Sequence, residues 1–323
     1  MENKSARKTR QPPGTAAHGE SLRKVALPIF YLGLGFTSGF IWTRIAFLPD
    51  LPEWHLQMVS GAAPAPNQYR PLTPWIAEAL LRLFPGLHVV TVYLLIRSVA
   101  TGVALRLFDR YMRTWFAPVA ATAGTLCLAA TIPFTYFHVV QESDPINLLV
   151  FVTAFWALAR GKDLALIPLV LVGTLNREAT AMIPAVYLLG RFGQTPWRRL
   201  AAMTVGLGAA WAVVYGGLLL AYGIRPYYCD VVMIRTNFGS PLPSLYLALL
   251  FGALWVVAFL GQRRGPRILA RALWLLPPYV VLHYVIALVW EVRLFLPWAP
   301  VIIPLAWWVL FPEDRHAQSA EGA

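Results

Sequence analysis

Apolar runs of near-membrane length alternate with short polar, Pro- and Gly-containing interruptions along most of the 323 residues. A helix needs about 20 predominantly apolar residues to cross a hydrocarbon core of roughly 30 Å. The pattern predicts spans over 25–47, 88–107, 116–137, 146–158, 200–222, 245–260, 272–290 and 294–311. Transmembrane barrels show short alternating strands instead, so the fold class predicted is an all-α polytopic membrane protein with about eight full spans.

Two stretches break the rhythm. Residues 71–84 carry apolar positions at helical spacing but are interrupted by Glu78 and Arg82 and are too short to span; they read as an interfacial helix in the first outer loop. The segment LALIPLVLVGTLNREATAMIPAVYLLGR divides into two apolar pieces around Asn176, Arg177 and Glu178, with basic residues on both flanks. A single crossing would put one basic flank outside, against the positive-inside rule. The segment therefore reads as a hairpin of two short helices whose polar tip reaches toward the outer half of the bilayer, where irregular backbone requires a surrounding of protein or watery cavity.

Composition agrees with this class: 58% of residues are hydrophobic and 13% charged, outside the range of soluble domains. The formal charge of +12 does not point to nucleic acid, because the basic residues flank apolar runs. They concentrate before 25, around Arg106 to Arg113, at Arg160 and Lys162, from Arg191 to Arg199 and from Arg263 to Arg271. That asymmetry puts both termini in the cytoplasm. The organisation expected is a disordered basic tail over 1–24, one membrane domain over 25–312 and a cytoplasmic tail over 313–323.

Acids and a second set of arginines crowd the opposite side. The loop AFLPDLPEWHLQMVSGAAPAPNQYRPLTPW carries Asp50, Glu53, His55, Tyr69 and Arg70, far more chemistry than a connector needs. Glu142 and Asp144 open the second outer turn, Arg225, Asp230 and Arg235 lie in the third, and Glu291 and Arg293 form the last. Arginine suits phosphate because its planar fork offers paired donors. Arg97 lies deeper, where an unpaired charge is costly, and is expected to pair with an acid. The spacing of His55, His88 and His138 matches no zinc motif. Trp54, Trp75, Tyr227 and Tyr228 read as interfacial belt residues.

The order of these features resembles the GT-C superfamily of polyprenyl-phosphate-sugar-dependent membrane glycosyltransferases, in particular its protein mannosyltransferase and aminoarabinose transferase branch. The likeness covers roughly residues 25–190: an acid just after the first span (Asp50), LQMVSG, the Arg70-Pro71-Leu72-Thr73-Pro74-Trp75 stretch, Arg97 in the next span, Asp144 opening an apolar run, and LNREATAMIP between two short helices. Arg177 and Glu178 stand where that branch has a Lys-Gly pair, and the Asp50 loop is shorter.

The resemblance implies a GT-C-like fold and transfer of a sugar from a polyprenyl-phosphate donor, on the outer face of a bacterial inner membrane, to an envelope lipid, glycan or protein. It makes Asp50 the catalytic base, with Glu53 as the alternative. Tyr69, Arg70, Asp144, Arg177, Glu178, Arg235, Glu291 and Arg293 are the candidate substrate-binding residues. No cofactor is required by this reading, although a divalent cation could sit between Asp50 and Asp144. The partners expected are the lipid-linked sugar and the bilayer. Two other classes fit the composition: a transporter or flippase of a lipid-linked sugar, which would carry ionisable groups along a path through the midplane, and a noncatalytic membrane accessory protein.

Overall fold

The structure is a computed structural model, and it describes residues 13–45, 50–136, 141–227, 230 and 232–315, with only the backbone before residue 25. Among these residues it is helical with no strands. The helices are α1 (Pro13–Ile45), α2 (Leu51–Ser60), α3 (Leu72–Leu83), α4 (Val89–Met112), α5 (Pro118–Thr131), α6 (Asp144–Ala159), α7 (Leu166–Asn176), α8 (Met182–Arg191), α9 (Trp197–Tyr222), α10 (Ile234–Phe238), α11 (Leu242–Phe251), α12 (Leu254–Gly261), α13 (Arg267–Ala272), α14 (Leu276–Ile286) and α15 (Ala299–Leu310). α1 starts inside the stretch expected to be a disordered tail. Pro13 is its first residue, a position where the missing N–H costs nothing, and Ala16, Ala17, Leu22 and Arg23 all favour helix. Residues 1–12 lie outside the described region.

Among the described residues, six helical stretches are long and apolar enough to cross a membrane: Val25–Ile45, Val89–Met112, Pro118–Tyr136, Trp197–Tyr222, Arg267–Ile286 and Val292–Leu310. α11 and α12 make a seventh if counted as one span, although they meet at 59°. Gly252 sits at that bend with φ 51°, a backbone that side chains rarely adopt. The stretch expected to span over 146–158 is α6, only 16 residues long and buried along most of its length. A helix apolar on every face belongs in the interior of a bundle, and α6 lies against α4 and α7. The stretch expected over 272–290 begins earlier and stops at Ile286, because Ala287 turns to extended backbone.

Close packing between the first two long helices rests on small residues. A Cβ on Gly35 of α1 would lie 2.4 Å from the Ser98 carbonyl oxygen and 2.5 Å from the Gly102 nitrogen of α4, and one on Gly102 would lie 2.9 Å from Leu32 Cα. Gly35 and Gly39 face Ser98 and Gly102, a four-residue spacing on both helices that lets their backbones touch. Gly261 does the same for α12 against Leu305 of α15.

The connections fall at two ends. At one, Ala117 N–H donates to Asp314 O (2.7 Å), Arg191 bonds Asp163 (2.7 Å) and the Leu158 carbonyl (2.8 Å), and Arg271 donates to Phe192 O. This end collects the basic loops. At the other, Ala65 N–H donates to Pro226 O (3.0 Å), Arg225 donates to Gly61 O (2.8 Å), and Met233 N–H donates to Val285 O (2.7 Å). The hairpin fits this frame. Its two feet meet at Arg191 and Asp163 of the basic end, while its tip reaches far enough for Trp211 Nε1, in the middle of α9, to donate to Glu178 O (3.0 Å). α3 is the short helix expected in the first loop; it packs on α2, α4 and α7.

Candidate functional site

The hairpin tip brings a break in the helical ladder to the other end's interior. α7 stops at Asn176; Arg177 is extended, and a tight helical turn over Glu178–Ala181 leads into α8. Asn176 is fully buried with both ends of its amide bonded: its Nδ2 donates to Ser143 O (2.9 Å) and its Oδ1 accepts from Thr73 Oγ1 (3.0 Å). One side chain thereby ties the hairpin to α3 and to the start of α6, and it fixes where Arg177 emerges.

Around Arg177 the charges interlock. Asp144, at the first turn of α6, accepts from Arg177 and, through both of its carboxylate oxygens, from Arg293 Nη1 (3.4 Å each). Arg293 also donates to Glu291. Arg70 grips Glu178 through Nε (2.8 Å) and Nη2, and donates from Nη1 to Gln141. Arg97 donates to Glu142 (2.9 Å) and to Thr43 Oγ1 (2.9 Å) and lies over the Trp42 ring at 5.3 Å, so the acid partner expected for it is Glu142. Four arginines and four carboxylates thus share one buried cluster. Each guanidinium in it has a carboxylate counterion; without one the desolvation cost of the charge is several kcal/mol.

A cavity of about 290 Å³ opens on this cluster. Arg70, Arg177, Glu178, Glu291 and Arg293 line it, joined by Gln141, Tyr227, Asp230 and His283. Arg177 spends one nitrogen on Asp144 and has no further side-chain partner among the described residues. Arg293 Nε is buried and unpartnered on the same terms.

Several residues singled out from the sequence stand elsewhere. Asp50 is exposed at the start of α2, makes no capping hydrogen bond with its side chain, and is not in the cavity wall. Glu53 is exposed one turn on and accepts from Gln57 (3.3 Å). The wall formed by Arg70 and Gln141 explains the separation: on its α2 side is a narrow crevice lined by Trp54, Met58 and Thr73, on its other side the cavity. Tyr69 is buried as a loop bolt, its hydroxyl donating to Gly223 O (2.8 Å) and accepting from Arg225 N–H (2.9 Å). Arg235 is exposed on α10 and does not line the cavity. Asp144 is claimed by two guanidinium groups, and Asp50 lies outside the cavity wall. Among the described residues no three His, Cys, Asp or Glu side chains converge as a metal site would need.

His55, buried in α2, spans Tyr93 Oη (Nδ1, 2.9 Å) and Glu78 Oε2 (Nε2, 3.2 Å). Arg82 also bonds Glu78 (2.7 Å), and the hydrogen bonds from Arg82 and His55 hold the Glu78 carboxyl below the ordinary carboxylate range. This chain of contacts pins α2 and α3 to α4. His138 and Tyr228 lie outside the described residues. Gln141, Asn176, Asp230 and His283 were not among the candidate site residues. The signal for the first two was their position beside charged residues, in QESDP and LNREA; nothing in the sequence marked the others as facing the arginines.

No family model, no curated protein and no solved structure matches this chain.

Proposed function

We propose that this protein is a membrane glycosyltransferase that takes a sugar from a polyprenyl-phosphate donor. The observation that carries the reading is the convergence of Arg70, Arg177 and Arg293, from three separate parts of the chain, on one cavity at the break of a membrane hairpin. Planar guanidinium groups suit a phosphate, Arg177 and Arg293 keep donors beyond their ion pairs, and stabilising the departing phosphate is the main electrostatic task of such a transfer. A volume of about 290 Å³ suits one sugar-phosphate head group, with the polyprenyl chain remaining in the bilayer. The side facing the cavity is the outer one on the charge pattern, since the basic loops gather at the opposite end.

Sugar transfer also needs a carboxylate to take the acceptor's proton. Glu178 and Glu291 are engaged by Arg70 and Arg293. Asp230 is exposed at the cavity wall with no ion pair among the described residues, which makes it the base in this proposal in place of Asp50. The acceptor O–H then gives its proton to Asp230. Its oxygen bonds the anomeric carbon, and the bond from that carbon to the phosphate oxygen breaks, leaving the electron pair on a phosphate held by Arg177 and Arg293.

The test is mass spectrometry of envelope lipids and glycans from cells with and without the protein, followed by turnover with the purified protein in lipid. A sugar unit present only with the protein is expected; identical profiles would remove the reading. Asp230→Asn should slow turnover by about 10² to 10⁴-fold, the usual worth of general-base catalysis, while Asp50→Asn should stay within about threefold. The reverse pattern would return the base to Asp50.

A further inference from the structure

His283 is the cavity group that this mechanism leaves unused. It sits one turn before the end of α14, with its ring tilted by 39° against Tyr279 at a centroid distance of 3.9 Å and lying 5.4 Å from Phe295. Its Nδ1 lies 2.8 Å from the Tyr279 carbonyl oxygen, four residues back on the same helix. A carbonyl oxygen can only accept, so Nδ1 carries the hydrogen and Nε2 is left with its lone pair. Nε2 has no hydrogen-bond partner among the described residues, and the residue lines the cavity beside Arg70, Arg177 and Arg293.

Charge decides what that nitrogen can do. Protonating His283 would add a fourth cation to a wall that already holds three, in a half-buried setting where charge is poorly solvated. Asp230, Glu178 and Glu291 also face the cavity, but the last two are engaged by Arg70 and Arg293. With Nδ1 bonded to the Tyr279 carbonyl, Nε2 of the neutral ring is placed to accept a hydrogen bond from an uncharged donor in the cavity. The apolar wall next to it, from Met233, Ile286 and Leu294, suits the ring face of a sugar.

We infer that His283 is a specificity residue that accepts a hydrogen bond through Nε2 from a hydroxyl of the transferred sugar, placing the sugar ring against α14 and the phosphate against Arg177 and Arg293. The inference rests on the glycosyltransferase reading above. A buried acceptor left unpaired by a ligand lacking that hydroxyl disfavours the ligand strongly, so this contact selects among sugars as well as orienting them.

The test compares binding of polyprenyl phosphate with binding of polyprenyl-phosphate mannose, glucose and aminoarabinose to the purified protein in lipid nanodiscs. The wild-type protein is expected to bind at least one sugar-bearing donor more tightly than the bare phosphate. His283→Phe, which keeps a ring but no acceptor, should weaken that donor about 10 to 100-fold and leave the bare phosphate within about twofold. His283→Gln, whose amide oxygen reaches near the place of Nε2, should recover part of the loss. Equal weakening of both ligands would make His283 a packing residue and overturn the inference, as would unchanged binding of the sugar-bearing donor. If the wild-type protein binds the bare phosphate but no sugar form more tightly, the sugar subsite falls while the phosphate reading stands. If it binds none of these lipids, the glycosyltransferase reading falls and this inference with it.

Discussion

At Arg177 a single residue carries structure and chemistry together. Its extended backbone ends α7, and its guanidinium is held by Asp144 while leaving donors for a ligand. Arg177→Lys keeps the charge but loses the fork. Charge-assisted hydrogen bonds contribute about 1.5–3 kcal/mol each, so polyprenyl phosphate should bind about 10 to 100-fold more weakly, with little change in melting temperature. Equal affinity by titration in nanodiscs would take Arg177 out of the phosphate site. Asn176 is the structural counterpart. Asn176→Ala leaves the Ser143 carbonyl and the Thr73 hydroxyl without their partners, each a loss of about 1–3 kcal/mol. A clear fall in melting temperature is expected, and an unchanged one would mean that the hairpin tip is held by its charges alone.

Among the elements, α1 and α4 are held by shape more than by polarity. Gly35→Ala puts a methyl group 2.4 Å from the Ser98 carbonyl, forcing the helices apart at a cost of about 1–3 kcal/mol, typical of overpacking. Gly33 faces open space, so Gly33→Ala serves as the control and should leave the melting temperature within error. If both variants melt alike, the two helices do not meet through Gly35. Separation of α1 from α4 would also reach the site, because Arg97 of α4 joins Thr43 of α1 to Glu142 beside Asp144.

For the whole molecule, the testable property is which loops share a side. Residue 194 and residue 314 belong to the basic end, and Asp230 belongs to the cavity end. In a background without native cysteines, a membrane-impermeant maleimide applied from outside should label Asp230→Cys and spare Gln194→Cys and Asp314→Cys. Labelling of all three, or of residue 194 but not 230, would break the proposed orientation.

Hydrophobic patterning was enough to read the all-helical membrane class, a short helix in the first loop, found at 72–83, and the pair of short helices around Arg177, because each follows from how far an apolar run extends before a polar residue interrupts it. It was also enough to expect Arg97 to find an acid, since an unpaired charge at that depth is too costly. It could not show that α6 is a short, enclosed helix or that α11 and α12 bend by 59°, because hydropathy registers that a residue avoids water and not whether lipid or protein covers it. The site divides in the same way. Arg70, Arg177 and Arg293 were visible as charges near helix ends, whereas Asp50 drew attention by its place after the first span and stands outside the cavity. Asp230 and His283 meet the arginines from far along the chain, where Gly223, Arg225 and Pro226 are bonded to the first loop and Met233 to α14. Which charges meet is a property of that packing, and only the tertiary structure decides it.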